Sequence, residues 1–291
     1  MKRQAPYIHI LSLCLLLASG ILKAGAQEKR IMILHTSDTH SCVEPVAANH
    51  SDTAMAGKAG FARRDGMVRA YRKEYPNTML LLDCGDFSQG SVYYNLFRGE
   101  VEIGLMNEMG YDACTIGNHE FDYGMDNLAR LMRMAKFPFV CCNYDFSGTP
   151  CEGLVKPYIV KELAGLRIGI FGVCPDPKGL VSASNYEGMR YERPAEAAQR
   201  VIDTLRKEER CDLIVCLSHL GWDIGGDDDQ ALVSSTSGID ILLGGHSHTT
   251  FRHPHSLRDQ SGHEVLADHV GKNARFVGTV EVIMEYREGL P

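Results

Sequence analysis

An apolar run ends at Gly117 and is followed at once by an amide, an imidazole and two carboxylates, in Asn118-His119-Glu120-Phe121-Asp122. The same arrangement, apolar strand and then polar ligand types, recurs at Asp38-Thr39-His40, at Gly85-Asp86, at Ser218-His219 and at Gly244-Gly245-His246-Ser247-His248. Asp38 and His40 stand two apart after a strand, so both can face one way and hold a metal from one side. Asp86 carries two carboxylate oxygens and can serve two cations. Asn118 offers an amide oxygen without adding charge. His246 and His248 follow two glycines, where backbone approaches a ligand closely. His219 adds one more imidazole, and His119 is left for acid chemistry. Together these residues point to two divalent metal ions and metal-assisted hydrolysis of a phosphate ester.

Each site needs an element to deliver it. Strands are predicted over 30–35, 79–83, 113–116, 212–217 and 239–243, and they read into Asp38, Asp86, Asn118, His219 and His246 respectively. Helices are predicted over 60–74, 99–109, 125–134 and 194–209, the last with Pro194 in its first turn. The runs 158–163 and 166–173 flank Ala164-Gly165 as a hairpin, a short strand is expected over 139–142, and 265–268 and 276–286 read as closing strands. The stretch 223–229 reads as a glycine-aspartate loop. Alternating strands and helices predict an α/β layered fold with a sheet that is not purely parallel. In such folds sites gather beyond the carboxyl ends of the strands, so five ends on one edge would build one site from distant sequence. No repeat, linker or interior boundary appears, and a single domain is expected over 27–291.

The net charge is −7, which argues against a nucleic-acid coat or an anionic-membrane binder. It does not exclude an anionic substrate, because bound dications reverse the local field. Residues 1–26 read as a secretory signal peptide: a basic start, a short apolar run and Ala24-Gly25-Ala26. That run is too short to span a bilayer, which needs about 20 residues. The expected location is therefore outside the inner membrane, periplasmic or extracellular. Nine cysteines follow the leader, an odd number with no CxxC pair, so they read mainly as small core hydrophobes. His35 is expected in the core or supporting a ligand. Gln89 is expected to shape its loop, and Trp222 to pack on the His219 loop or to line the site. His253, His255, His263 and His269 lie in a polar segment and are expected to be solvated.

The ordered set of motifs, from Ile33-Leu34-His35-Thr36-Ser37-Asp38-Thr39-His40 through Gly85-Asp86-Phe87-Ser88-Gln89-Gly90 and Gly117 to Asp122 as far as Gly245 to His248, resembles the calcineurin-like metallophosphoesterases, in particular their 5′-nucleotidase branch. The resemblance implies a four-layer αββα sandwich. It implies one metal on Asp38, His40, Asp86 and His248, and a second on Asp86, Asn118, His219 and His246. Manganese, zinc, iron or cobalt suits such a mixed oxygen and nitrogen shell. It further implies attack by a hydroxide held between the metals, with His119 and Asp122 as the catalytic pair, and a nucleotide as the substrate ester. Glu120 has no ligand role in the family. Ser37 and Ser41 depart from the family's usual Asn and Gly, and neither is a ligand. Full-length 5′-nucleotidases carry a C-terminal domain that grips the nucleoside. A separately encoded chain of that kind is thus an expected partner, the alternative being a phosphoesterase that acts alone.

Overall fold

Period-two burial along the strands sets the architecture. In β1 (Gln27–Thr36), Met32 and Leu34 enter one apolar cluster while Ile31 and Ile33 enter another. A strand apolar on both faces needs cover on both. The computed structural model describes residues 27–51, 53 and 56–286, so the leader expected over 1–26 lies outside the described residues. Lys29–Met284 make up one compact unit, and the layers belong to it.

The chain continues through α1 (Phe61–Glu74), β2 (Met79–Asp83), α2 (Val92–Phe97), α3 (Glu100–Met109), β3 (Ala113–Cys114), α4 (Gly124–Met134), β4 (Phe139–Val140), β5 (Tyr144–Asp145), β6 (Val155–Lys156), β7 (Tyr158–Leu163) and β8 (Leu166–Val173). Then come β9 (Arg190–Tyr191), α5 (Pro194–Lys207), β10 (Leu213–Ser218), α6 (Asp229–Ser234), β11 (Ile241–Gly244), β12 (His255–Arg258), β13 (Glu264–His269) and β14 (Gly278–Tyr286). One six-stranded sheet runs β14-β1-β2-β3-β4-β6, and the other runs β12-β13-β11-β10-β8-β7. The interior pairs β1–β2, β2–β3, β8–β10, β10–β11 and β11–β13 are parallel. The hairpin β7–β8 and the pair β12–β13 are antiparallel.

The two sheets face each other across Ile33, Leu80, Leu82, Ile168, Ile170, Val215, Leu217 and Leu243. The outer face of the first sheet packs on Val68 of α1, Ile103 and Met106 of α3, and Leu128 and Leu131 of α4. The outer face of the second packs on Ala198, Ile202 and Leu205 of α5 and Leu232 of α6. The order helix, sheet, sheet, helix is the four-layer αββα sandwich that the motifs implied.

Register carries this order to the site. Thr36 pairs with Asp83 and Asp83 with Cys114, so the ends of β1, β2 and β3 lie side by side. Ser218 pairs with Val173 and Gly244, and Gly244 with His269, which aligns the ends of the second sheet. Two of the differences from expectation bear on the site. The strand predicted over 113–116 ends at Cys114, because Thr115 turns its hydroxyl to the Val140 carbonyl at 2.8 Å and the chain peels away toward the site. The loop predicted over 223–229 leads straight into α6, whose cap is Asp228: its carboxylate accepts from Ala231 N at 3.0 Å. The nine cysteines from Cys42 to Cys216 are free thiols, most of them buried in these clusters.

The sheets come close at Gly172 on β8, where a Cβ would lie 2.2 Å from the Val140 carbonyl oxygen and 2.3 Å from Thr115 Oγ1. Gly172→Ala is expected to destabilise the fold by roughly 1–3 kcal/mol, the scale of overpacking a close contact. Urea denaturation measures it, and an unshifted midpoint would contradict this seam between the sheets.

Candidate metal centre

Backbone geometry places the ligand types before side chains do. Asp38, His40, Asp86, His246 and His248 all hold positive φ, at 48°, 43°, 55°, 69° and 57°. Non-glycine residues avoid that region, and a cluster of them marks a site where the surroundings impose strain. Backbone bonds between the strand-end loops hold them there. Asp38 N donates to Gly85 O at 2.9 Å, His40 N to Asp86 O at 3.0 Å, and Asn273 N to Asp38 O at 2.7 Å. Across the sheets, His246 N donates to the Asp38 carboxylate at 3.0 Å.

The glycines of the last motif are required sterically. A Cβ on Gly245 would come within 3.0 Å of both Asp38 Oδ2 and His219 Nδ1, and one on Gly244 would fall within 2.0 Å of His269 Nε2. Gly117 is bounded likewise by Asp86 Oδ1 at 2.1 Å.

The structure brings together eight of the nine residues singled out in the sequence, and Asn118 precedes His119, whose backbone N donates to Asp86 Oδ1 at 2.9 Å. Asp38, His40 and His248 offer donor atoms within 4.8 Å of one another, and so do Asp86, His219 and His246. A third overlapping group, His40, Asp86 and His119, joins the two. The Nε2 atoms of His40 and His248 stand 3.0 Å apart, and His248 Nε2 lies 3.6 Å from Asp38 Oδ1. His219 Nε2 lies 3.2 Å from Asp86 Oδ2. The outer nitrogens are tied to backbone. His219 Nδ1–H donates to Cys84 O at 2.6 Å and His40 Nδ1–H to Ser88 O at 3.3 Å, which leaves each Nε2 free to ligate. His119 sits at the rim, with Nδ1 3.1 Å from Asp122 Oδ2.

These donors fit divalent metals on their own evidence. Asn118 Oδ1 and His219 Nε2 are buried without a hydrogen-bond partner, the 3.2 Å approach to Asp86 being poorly aligned. Such orphaned atoms are costly unless something else satisfies them. Burial pushes the Asp38 carboxyl up to about 7 against the pull of His219. Burial would also raise Asp86, but the charge and proximity of His219, with His119 and His40, hold it well below the usual carboxylate range. Burial brings His246 and His248 down to about 4, so both are neutral imidazoles at neutral pH, the form that binds metal. The hydrogen bond to Asp122 raises the pKa of His119 above its usual value.

Three residues take roles that the sequence did not show. Glu120, completely buried, accepts from Gly117 N at 2.6 Å, Asp86 N at 2.9 Å and Ser88 N at 3.1 Å. It thereby fastens the loop that bears Asn118 to the loop that bears Asp86. Asp83 does the same one step earlier, accepting from Thr36 Oγ1 at 2.5 Å and Gly85 N at 2.9 Å. His269 was expected to be solvated and is instead buried, its Nε2 2.7 Å from Asp229 Oδ2, because α6 brings that carboxylate over the end of β13. His253, His255 and His263 are exposed as expected. His35 lies in the core, bonded to Asp268 at 2.9 Å. Trp222 packs on Phe251, His255 and His269, and its backbone N donates to Ser247 Oγ.

A donor set of carboxylates, imidazoles and one amide, at the strand ends of a four-layer sandwich, is that of the metal-dependent phosphoesterases as a class. Residues 31–250 match the calcineurin-like phosphoesterase family, and the chain belongs to it. It is similar to the human 5′-nucleotidase, with 34% identity over 244 residues covering 81% of this chain and 41% of that protein. It is also similar to a probable 5′-nucleotidase of Treponema pallidum, at 30% identity over 85% of this chain and 42% of that one. Among solved structures it superimposes on the 5′-nucleotidase precursor of Thermus thermophilus with a TM-score of 0.76 and 32% identity, covering 87% of this chain and 51% of that one. The chain thus spans roughly two-fifths of the length of these curated relatives. Among the described residues no helix is long and apolar enough to cross a membrane.

Glu120→Gln replaces an acceptor of three backbone N–H groups with an amide that can accept only on one side. It is expected to weaken metal affinity about 10- to 100-fold, the usual cost of losing support behind the ligands. Calorimetric manganese titration checks this, and unchanged affinity would assign Glu120 to folding alone.

Proposed function

We propose that the chain is an exported phosphomonoesterase of the 5′-nucleotidase type, acting on nucleotides through two divalent metals. The observation that carries the reading is the convergence of Asp38, His40, His219, His246 and His248 on Asp86, with His119 held by Asp122 at the rim. Asp38, His40, Asp86 and His248 would hold one cation, and Asp86, Asn118, His219 and His246 the other. Bound there, the pair would act as Lewis acids toward the phosphoryl group and the attacking water. The chain's own residues do the rest. His40 and His219 keep fixed tautomers through Ser88 and Cys84. Asp122 orients His119 and keeps its proton available for the departing alcohol oxygen. Glu120 and Asp83 hold the loops to their strained backbone so that no donor relaxes outward.

The test is phosphate release from adenosine 5′-monophosphate by the chain stripped of metal and reloaded with manganese. His119→Asn is expected to retain metal and lose about 10²- to 10⁴-fold in kcat, the scale of one proton-transfer group. Asp86→Ala is expected to lose both metal and turnover. Full activity in Asp86→Ala would defeat the site. Metal uptake without turnover of any ester would favour the second reading, in which a separate nucleotide-binding chain is needed.

A further inference from the structure

We propose that Cys141 and Cys174 are an oxidisable pair, closed to a disulfide by exchange with a small-molecule disulfide and reopened by thiols. The pair lies outside the metal centre, and the proposal stands whether or not that centre cleaves phosphate esters. Cys141 follows β4 of the first sheet, and Cys174 follows β8 of the second. The two strand ends meet there, with Cys142 N donating to Gly172 O at 2.9 Å. The Asn143 side chain holds both cysteines. Its Oδ1 accepts from Cys174 N at 2.9 Å and from Cys141 Sγ at 3.4 Å, while its Nδ2 donates to Cys174 O at 2.8 Å. Thr115 Oγ1 spans the same gap, donating to Val140 O at 2.8 Å with Cys174 Sγ 3.7 Å away. The two thiols are thereby brought into hydrogen-bond contact within one apolar cluster.

The surroundings give the two sulfurs different roles. Cys141 is on the wall of a cavity of about 260 Å³, together with polar residues that include Asp145, Ser147 and Glu152. Cys174 is wholly buried, and a thiol buried with no opening beside it is inert on its own. Cys141 is thus the sulfur that a reagent meets first. Its thiolate attacks one sulfur of the incoming disulfide, whose S–S bond breaks, and the departing thiolate takes up a proton. Cys174 then gives up its proton and attacks Cys141 Sγ, expelling the second half of the reagent as a thiol. Two protein thiols are oxidised, and one reagent disulfide is reduced to two thiols. Cys142 and Cys151 line the same cavity, but Cys142 packs against the outer cluster of the second sheet and Cys151 Sγ donates to Met125 O at 3.6 Å. Closure ties the first sheet to the second by a covalent bond. It also takes away the proton that Cys174 Sγ donates to Ile116 O at 3.0 Å, in the segment that runs into Asn118.

The test treats the folded full chain with oxidised glutathione in native buffer. Thiol titration after denaturation should show a loss of two thiols, peptide mass mapping should place the new bond between Cys141 and Cys174, and dithiothreitol should restore both. Cys174→Ser should stop one step earlier, with one thiol lost and one glutathione held on Cys141. Cys141→Ser should lose neither thiol of the pair. Cys174→Ala repeats the trap if serine is not tolerated in the apolar cluster, and the wild-type mapping decides the matter without either variant. A folded wild-type chain that keeps all its thiols overturns the proposal. So does a bond that maps to Cys142 or Cys151, or one that forms only in urea.

Discussion

The Glu120 carboxylate lies beneath the metal centre with three backbone N–H groups directed at it, from Gly117, Asp86 and Ser88. Those groups belong to two loops that approach from neighbouring strands and could otherwise separate. The clasp matters because the loop after β2 carries Asp86 in a conformation that it would leave if free. A left-handed non-glycine residue costs on the order of 1–3 kcal/mol, and Asp38, His40, Asp86, His246 and His248 all adopt it. The carboxylate clasp, the parallel register beneath it and the glycines at 117, 244 and 245 together over-determine the backbone. Removing any one would loosen the donor atoms and weaken metal binding.

Electrostatics explains why the centre is built from these types. Asp38, Asp86 and Glu120 are three carboxylates buried near one another, and burial pushes both Asp38 and Glu120 up to about 7. Asp86 stays ionised because His219, raised to about 10 by it against the effect of burial, lends it a proton's charge. That pairing is a substitute. A dication between them would satisfy both the Asp86 oxygens and the orphaned His219 nitrogen, and would release the proton. The clustering of carboxylates is thus a cost in the polypeptide alone and a binding site for cations.

How far this could be read from sequence depended on distance along the chain. β2 and the β7–β8 hairpin were legible to the residue, because largely apolar runs bounded by turn residues leave little choice. The ligand types were legible because each follows such a run. Glu120 was not: its partners are backbone N–H groups of another loop, and no pattern of side chains records them. His269 looked like one more polar residue in a polar segment. Its partner Asp229 sits forty positions away on a helix of six residues, too short to show a period. The helix α2 was hidden for the same reason, although Ser91 at its cap was the available clue.

The two sheets divide the labour at the centre. The second sheet supplies imidazoles, His219, His246 and His248, stiffened from behind by the buried set of Ser218, Asp229 and His269. The first supplies Asp38, His40, Asp86 and Asn118, and the acid pair His119 and Asp122. Metal donors therefore come from both halves, whereas the acid pair belongs to the first alone. That asymmetry follows from register: β3 stops after two residues, and the chain freed by its early end reaches past the metal donors to form the rim.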